Sequence, residues 1–130
     1  MARNLCVSYS TRPETVEVFI RLSGAGVVLA PVSAPGVIVG HTANSGVFVL
    51  TVQDVFAEFL GATISVAPAA PLSATANPVA STSWNNATRQ LTITVTNIVT
   101  TVAPATFLPA ADAVVAEMDI SIAWADSRVA

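Results

Sequence analysis

Hydrophobic and polar side chains alternate along several stretches of the chain. Over residues 90–96, Leu91, Ile93 and Val95 alternate with threonine or glutamine. The same period of two runs through three further stretches, residues 15–22, 62–66 and 118–124. Because successive side chains of a β-strand lie on opposite faces of its sheet, this period predicts half-buried antiparallel strands. Residues 47–52 are apolar on both faces and favour a strand that is covered on both sides.

Turn-forming residues separate these stretches. They lie at residues 23–26, 35–36, 44–46 and 84–89. Asn85 and Asn86 tolerate a positive φ, so the last of these turns is expected to join residues 81–84 and 90–96 as a hairpin. Residues 68–78 are rich in Ala, Pro and Ser, and this composition predicts a loop or an irregular edge.

Helical segments are expected at only two places, residues 54–60 and residues 110–117, and both are short. Seven to nine short strands without a long helix predict an all-β fold, namely an antiparallel β-sandwich or jelly roll. A small closed barrel is the alternative. The length of 130 residues predicts a single domain over residues 1–130.

The composition narrows the range of partners. Charged residues make up 10% of the chain, lysine is absent and the formal net charge is −3, whereas soluble domains have about 25% charged residues. A nucleic-acid-binding module needs a basic face, so this class of function is excluded. The hydrophobic content of 53% argues against a solitary, highly soluble monomer and favours a chain that covers apolar surface through assembly.

Neither a membrane partner nor a targeting segment is expected. The N-terminal residues lack the apolar run of a signal peptide. Residues 22–40 carry no charge, but they include two prolines and four glycines. Because these residues disfavour a membrane-spanning helix, the stretch predicts two buried β segments with a turn between them.

Residues that commonly carry chemistry are sparse. His41 is the only histidine and Cys6 the only cysteine, so the chain lacks a zinc ligand set and an internal disulfide. Cys6 as a nucleophile with His41 as its base is one alternative; a histidine at the end of a strand is the favoured interpretation. Glu117 and Asp119 share a strand face, which is more typical of a solvated stripe than of a glycosidase pair. The four acidic residues nearest the C-terminus lack the spacing of a calcium loop. We therefore predict no catalytic residue, no metal and no cofactor.

Two groups of aromatic residues have a predicted role. Trp84 precedes Asn85 and Asn86, and this group is a candidate platform for a glycan. A core tryptophan before a hairpin turn is the favoured alternative. Phe56 and Phe59 are expected to close one end of the sandwich.

The order of strand and turn motifs over residues 36–130 resembles that of a known class of virion proteins. The motifs are an apolar strand at 45–52, an acidic-aromatic turn at 54–56, a strand at 61–66, a hairpin at 84–93, an Ala/Asp-rich segment at 110–113 and a closing strand that ends at 127–129. This order is similar to that of small structural proteins of tailed bacteriophages, especially capsid decoration (cement) proteins.

The resemblance implies a structural virion protein on the outer capsid surface, made in the host cytoplasm. Such a protein would assemble as a trimer or dimer and would bridge neighbouring major capsid proteins, without any catalytic residue. A fibre-tip or lectin-like glycan-binding module is the alternative function, and a pilus-like or secretion-system subunit is a third.

The start of the chain is a candidate contact with a neighbouring subunit. Residues 1–12 form a possible docking arm that contains few charges. Within it, the candidate residues for the capsid or subunit interface are Leu5, Cys6, Val7 and Tyr9.

Overall fold

A computed structural model describes residues 15–29, 36–53, 58–101 and 103–125. Within these ranges the chain forms eight β-strands. They are β1 (Thr15–Ser23), β2 (Val37–His41), β3 (Val47–Val52), β4 (Glu58–Pro68), β5 (Pro78–Asn85), β6 (Gln90–Val99), β7 (Thr106–Pro109) and β8 (Val115–Ala125). A 3-10 turn, Asp112–Val114, precedes β8.

The strands form two antiparallel sheets. The smaller sheet has the order β1-β8-β4, and the larger one has the order β2-β3-β6-β5 with β7 also paired to β6. Because β5 pairs with β6 along its own whole length, β3 and β7 share the other side of β6. They lie end to end there, since Val95 of β6 donates to the carbonyl of Gly46 and accepts from the amide of Ala110.

The core lies between the two sheets. Both sheets contribute side chains that are at least nine-tenths buried, among them Ile20, Leu22, Phe48, Leu50, Leu91, Ile93, Met118, Ile120 and Ile122. Burial of this apolar surface, at about 25 cal/mol per Å², is the main force that holds the sheets together. The prediction of an all-β antiparallel sandwich with seven to nine short strands is therefore confirmed.

The alternation in the sequence assigns the faces of the strands correctly. In β6 the side chains of Leu91, Ile93 and Val95 are buried, and the threonines between them face outward. In β3 only the inward face is buried. Phe48, Leu50 and Val52 lie in the core, whereas the side chains between them are half-buried. An outward face rich in Val and Thr suits a pleated surface without being part of the core.

The two predicted helical segments are wrong in the parts that the structure describes. Of residues 110–117, only Asp112–Val114 forms a 3-10 turn, and Val115 already begins β8. The pairing of Val115 with Pro68 of β4 and the burial of Val115 explain this, because sheet pairing outweighs the helix propensity of nearby alanines. Residues 58–60 begin β4, and residues 54–57 lie outside the described ranges.

The hairpin between β5 and β6 is confirmed, but its turn differs from the prediction. Asn85 pairs with Gln90, and the positive φ belongs to Arg89, at 58°, and to neither asparagine. The Asn85 side chain instead accepts hydrogen bonds from the amides of Ala87, at 2.9 Å, and Thr88, at 3.3 Å. An asparagine side chain can close a turn in this way without a left-handed backbone.

Candidate functional site

His41 is the last residue of β2, and its ring is enclosed at one end of the sandwich. Its side chain is only 5% exposed. The ring stacks on Phe48 with a centroid distance of 4.0 Å and an interplanar angle of 4°. Nδ1 lies 2.7 Å from the carbonyl oxygen of Val47, and Nε2 lies 2.8 Å from Oδ1 of Asp112. Both nitrogens thus face oxygen acceptors.

Asp112 and Asn44 complete this cluster through a reciprocal pair of hydrogen bonds. The backbone N–H of Asn44 donates to Oδ1 of Asp112 at 2.9 Å, and the backbone N–H of Asp112 donates to Oδ1 of Asn44 at 3.0 Å. The hydrogen bond from His41, followed by that from the Asn44 amide, holds the pKa of the Asp112 carboxyl below its ordinary value. The loop after β2 is therefore tied to the turn before β8.

The turn after β1 packs against the same cluster through two glycines. Gly26 has a φ of 82°, and a Cβ atom there would lie 2.8 Å from the Cβ atom of His41. At Gly24 a Cβ atom would collide with the backbone carbonyls of Asp112 and Val115. A side chain fits at neither position.

This geometry gives His41 a structural role. A histidine acts as a general base through a nitrogen that is open to the substrate, whereas both nitrogens of His41 are engaged by Val47 and Asp112. The ring donates both hydrogen bonds when each nitrogen carries a proton. The pair then links the end of β2, in the larger sheet, to the turn that leads into the smaller sheet.

Trp84 belongs to an aromatic cluster between the sheets. Its ring stacks on Phe59 of β4 at 4.8 Å and 7°, and it meets Trp124 edge-on at 5.9 Å. One flat face of the indole is thus covered by Phe59, while Asn85 and Asn86 lie in the exposed turn. The buried Nε1 of Trp84 has no hydrogen-bond partner among the described residues.

Several sequence-based expectations fall outside the described ranges. They concern the docking arm at residues 1–12, its interface residues Leu5, Cys6, Val7 and Tyr9, the pairing of Cys6 with His41, and Phe56. They stay predictions. Within the described part of the chain, no three His, Cys, Asp or Glu residues group closely enough to hold a metal ion. Within the same part of the chain, no helix has the length and apolar character needed to cross a membrane.

The outward face of the larger sheet carries no charged residue in the described part of the chain. Strand register places sixteen residues on this surface, which we name the uncharged face: Ile38, Gly40, Val47, Val49, Thr51, Val79, Ser81, Ser83, Asn85, Gln90, Thr92, Thr94, Thr96, Ile98, Phe107 and Pro109. Three large apolar side chains stand out from it, with Ile38 56% exposed, Val79 48% and Phe107 67%. Such a surface is typical of a contact region.

The outward face of the smaller sheet has a different character. Outward positions of β1 and β8 hold Glu17, Arg21, Glu117 and Asp119. Between these charges lies a groove of about 390 Å³ on whose rim Phe19 is 60% exposed. Six outward side chains define what we name the Phe19 groove: Phe19, Arg21, Thr63, Ser65, Asp119 and Ser121.

The Phe19 groove went unrecognised in the sequence, although one signal for it was present. Phe19 lies at an outward position of β1, between Glu17 and Arg21, in a strand whose other face is apolar. A large aromatic side chain at a position that the alternation assigns to the outward, polar face of a strand indicates an exposed ring. The residues opposite it on β8 and β4 become neighbours only through the sheet order.

Comparison of the chain with protein-family models, curated proteins and solved structures found no match.

Proposed function

We propose that this chain is a structural assembly protein, specifically a decoration protein that binds the outer shell of a tailed-phage capsid and bridges neighbouring major capsid proteins. The observation that carries the proposal is the uncharged face. The resemblance in motif order supplies the kind of assembly. A protein of this type contributes only binding energy, so it works without a catalytic residue, a metal or a cofactor.

The dimensions of the uncharged face suit a protein–protein contact. It is four strands wide and follows the 10 residues of β6, which gives roughly 600 Å² at about 4.8 Å between strands and about 3.4 Å per residue. A standard interface buries about 800 Å² on each partner. The interface centre is depleted of charge in such contacts, as it is here.

Assembly with further copies follows from the same surface. A closed trimer or dimer covers apolar surface without leaving an open end that polymerises, and a trimer suits three-fold positions on a shell. Binding to the assembled lattice and not to free subunits stabilises the lattice by mass action. Repetition of one moderate contact around a symmetry axis adds avidity.

The test adds purified protein to capsid shells that lack decoration and measures co-sedimentation and the temperature at which shells rupture. Thr94→Arg places a charge at the centre of the uncharged face. Thr63→Arg is the matched control, because Thr63 is also an exposed threonine on an outward strand position, but in the smaller sheet. We expect wild type and Thr63→Arg to bind and to raise the rupture temperature, and Thr94→Arg to fail.

Light scattering at micromolar concentration gives the second readout. We expect a trimer or dimer for the wild type and a smaller species for Thr94→Arg. A wild-type monomer that leaves shells unchanged would remove the proposal. Equal losses for the two arginine variants would mean that the uncharged face is not the contact surface.

A further inference from the structure

We propose that the Phe19 groove binds one neutral hexose unit of a glycan. The inference is independent of the proposed function, because the groove and the uncharged face lie on opposite outer surfaces of the sandwich. One face can therefore be covered by assembly while the other stays accessible. The candidate glycan platform at Trp84, considered above as an alternative, is a different site, on another strand of the other sheet.

The strand register arranges the six side chains of the groove as a grid of two rows. The first row is Phe19, Ser121 and Thr63, and the second row is Arg21, Asp119 and Ser65. Neighbouring strands are about 4.8 Å apart and residues at i and i+2 about 6.8 Å apart, so the grid measures roughly 10 by 7 Å. This footprint is large enough for a single hexose unit, and the groove volume of about 390 Å³ is within the range of small-molecule sites.

Phe19 supplies the apolar surface that a sugar needs. Its ring is 60% exposed, and its cross-strand neighbour is the small Ser121. The C–H face of a hexose is apolar and packs against the face of an aromatic ring. The same sugar presents hydroxyl groups around its edge, which require polar partners.

Arg21 and Asp119 supply those polar partners as an ion pair. Nε of Arg21 donates to Oδ1 of Asp119 at 2.7 Å. Among the described residues, the two terminal nitrogens of Arg21 and Oδ2 of Asp119 have no further partner. The pair thus offers donors and an acceptor side by side, as two neighbouring sugar hydroxyls require, and charge-assisted hydrogen bonds are the stronger kind. The hydroxyls of Thr63, Ser65 and Ser121 add both donors and acceptors.

The charge of this face selects among sugars. Glu17, Glu117 and Asp119 outnumber Arg21 on the outward positions of β1 and β8, so the surface around the groove is negative. A uronic or sialic acid would be repelled. The ligand class is therefore a neutral hexose or N-acetylhexosamine.

The experiment titrates ¹⁵N-labelled protein with glucose, galactose, mannose and N-acetylglucosamine, and with glucuronate as the acidic comparison. We expect a millimolar Kd for at least one neutral sugar, with amide shifts confined to β1, β8 and β4, and no binding of glucuronate. Phe19→Ala and Asp119→Asn should each weaken binding about tenfold or more, which corresponds to about 1.4 kcal/mol. Both positions are exposed, so both variants should fold.

Phe107→Ala is the matched control, since Phe107 is a similarly exposed phenylalanine on the larger sheet. It should leave the sugar Kd unchanged. The inference is overturned if none of the four neutral sugars shifts the groove amides, if Phe19→Ala binds as well as wild type, or if the shifts map to the hairpin at Trp84. Shell binding by Phe19→Ala reports separately on the proposed function, so the two failures are distinguishable.

Discussion

Nε2 of His41 lies 2.8 Å from Oδ1 of Asp112, across a separation of 71 residues along the chain. His41 ends a strand of the larger sheet, and Asp112 begins the turn that leads into the middle strand of the smaller sheet. The contact therefore joins the two sheets at one end of the sandwich. Its strength depends on the charge of Asp112.

Acid should weaken the fold through Asp112. The pKa of this carboxyl is lowered in the fold by the hydrogen bonds from His41 and from the Asn44 amide, whereas in the unfolded chain it returns to about 4. The charged carboxylate thus stabilises the fold fully above the unfolded value, and this contribution is lost as pH falls through the lower folded value. Urea melts at several pH values from neutral to strongly acidic should show the free energy of unfolding falling as Asp112 becomes protonated.

Asp112→Asn is the variant that isolates this effect. It should be less stable than wild type at neutral pH, and the difference should shrink steadily at the acid end. Parallel stability curves for the two proteins would show that the Asp112 charge contributes nothing to the fold.

Core truncation should separate the two faces of a single strand. Ile93 in β6 and Ile122 in β8 are 0% exposed, so replacing either by alanine should cost about 2–5 kcal/mol. Thr94→Ala, on the outward face of β6, should cost well under about 1 kcal/mol in the monomer. Urea melts of the three variants provide the measurement. Equal losses at Ile93 and Thr94 would indicate that the outward face is covered as tightly as the core.

Trp84 should tolerate phenylalanine much better than alanine. The stack on Phe59 needs an aromatic ring at this position, whereas the buried Nε1 gains no hydrogen bond from the described residues. Trp84→Ala should therefore cost about 3 kcal/mol, and Trp84→Phe less than about 1 kcal/mol because it also removes a buried donor. Thermal melts of both variants give the comparison. A loss on Trp84→Phe as large as that on Trp84→Ala would mean that Nε1 has a structural partner.

Gly26 should be intolerant of any side chain. Its φ of 82° lies in the left-handed region, which a residue with a side chain rarely adopts. An added Cβ atom would also lie only 2.8 Å from the Cβ atom of His41. Gly26→Ala should cost about 1–3 kcal/mol. Gly40→Ala is the control, because a Cβ atom there would lie an ordinary 3.8 Å from its nearest neighbour, the Val49 carbonyl. A drop in melting temperature for Gly26→Ala no larger than that for Gly40→Ala would contradict this account.

Strands and faces could be predicted from the sequence, because a period of two is a local property. Leu91, Ile93 and Val95 are buried as their parity requires. The helix expected at residues 110–117 failed because pairing of Val115 with β4 is a distant interaction that local composition does not encode. The positive φ of Arg89 was missed because the Asn85 side chain closes the turn instead.

The sites depend on contacts that no local pattern shows. His41 was correctly placed at a strand end, but nothing in the sequence pairs it with Asp112, since the order of strands decides which loops meet. The Phe19 groove needs β1, β8 and β4 side by side, and these strands are separated by most of the chain. The low content of charged residues could be predicted from composition. Composition does not show that the charged strand residues lie on the smaller sheet, which leaves the outward face of the larger sheet uncharged among the described residues.

The position of β8 between β1 and β4 also dictates an order of folding. All five strands of the larger sheet precede β8 in the chain and include two hairpins, β2–β3 and β5–β6, which can form from local contacts as synthesis proceeds. β1 and β4 are not paired with each other, so each lacks its sheet partner until β8 leaves the ribosome. Closure of such distant pairings is slow, and the waiting strands expose unpaired edges. The interval before β8 arrives is therefore when the nascent chain is most prone to aggregation.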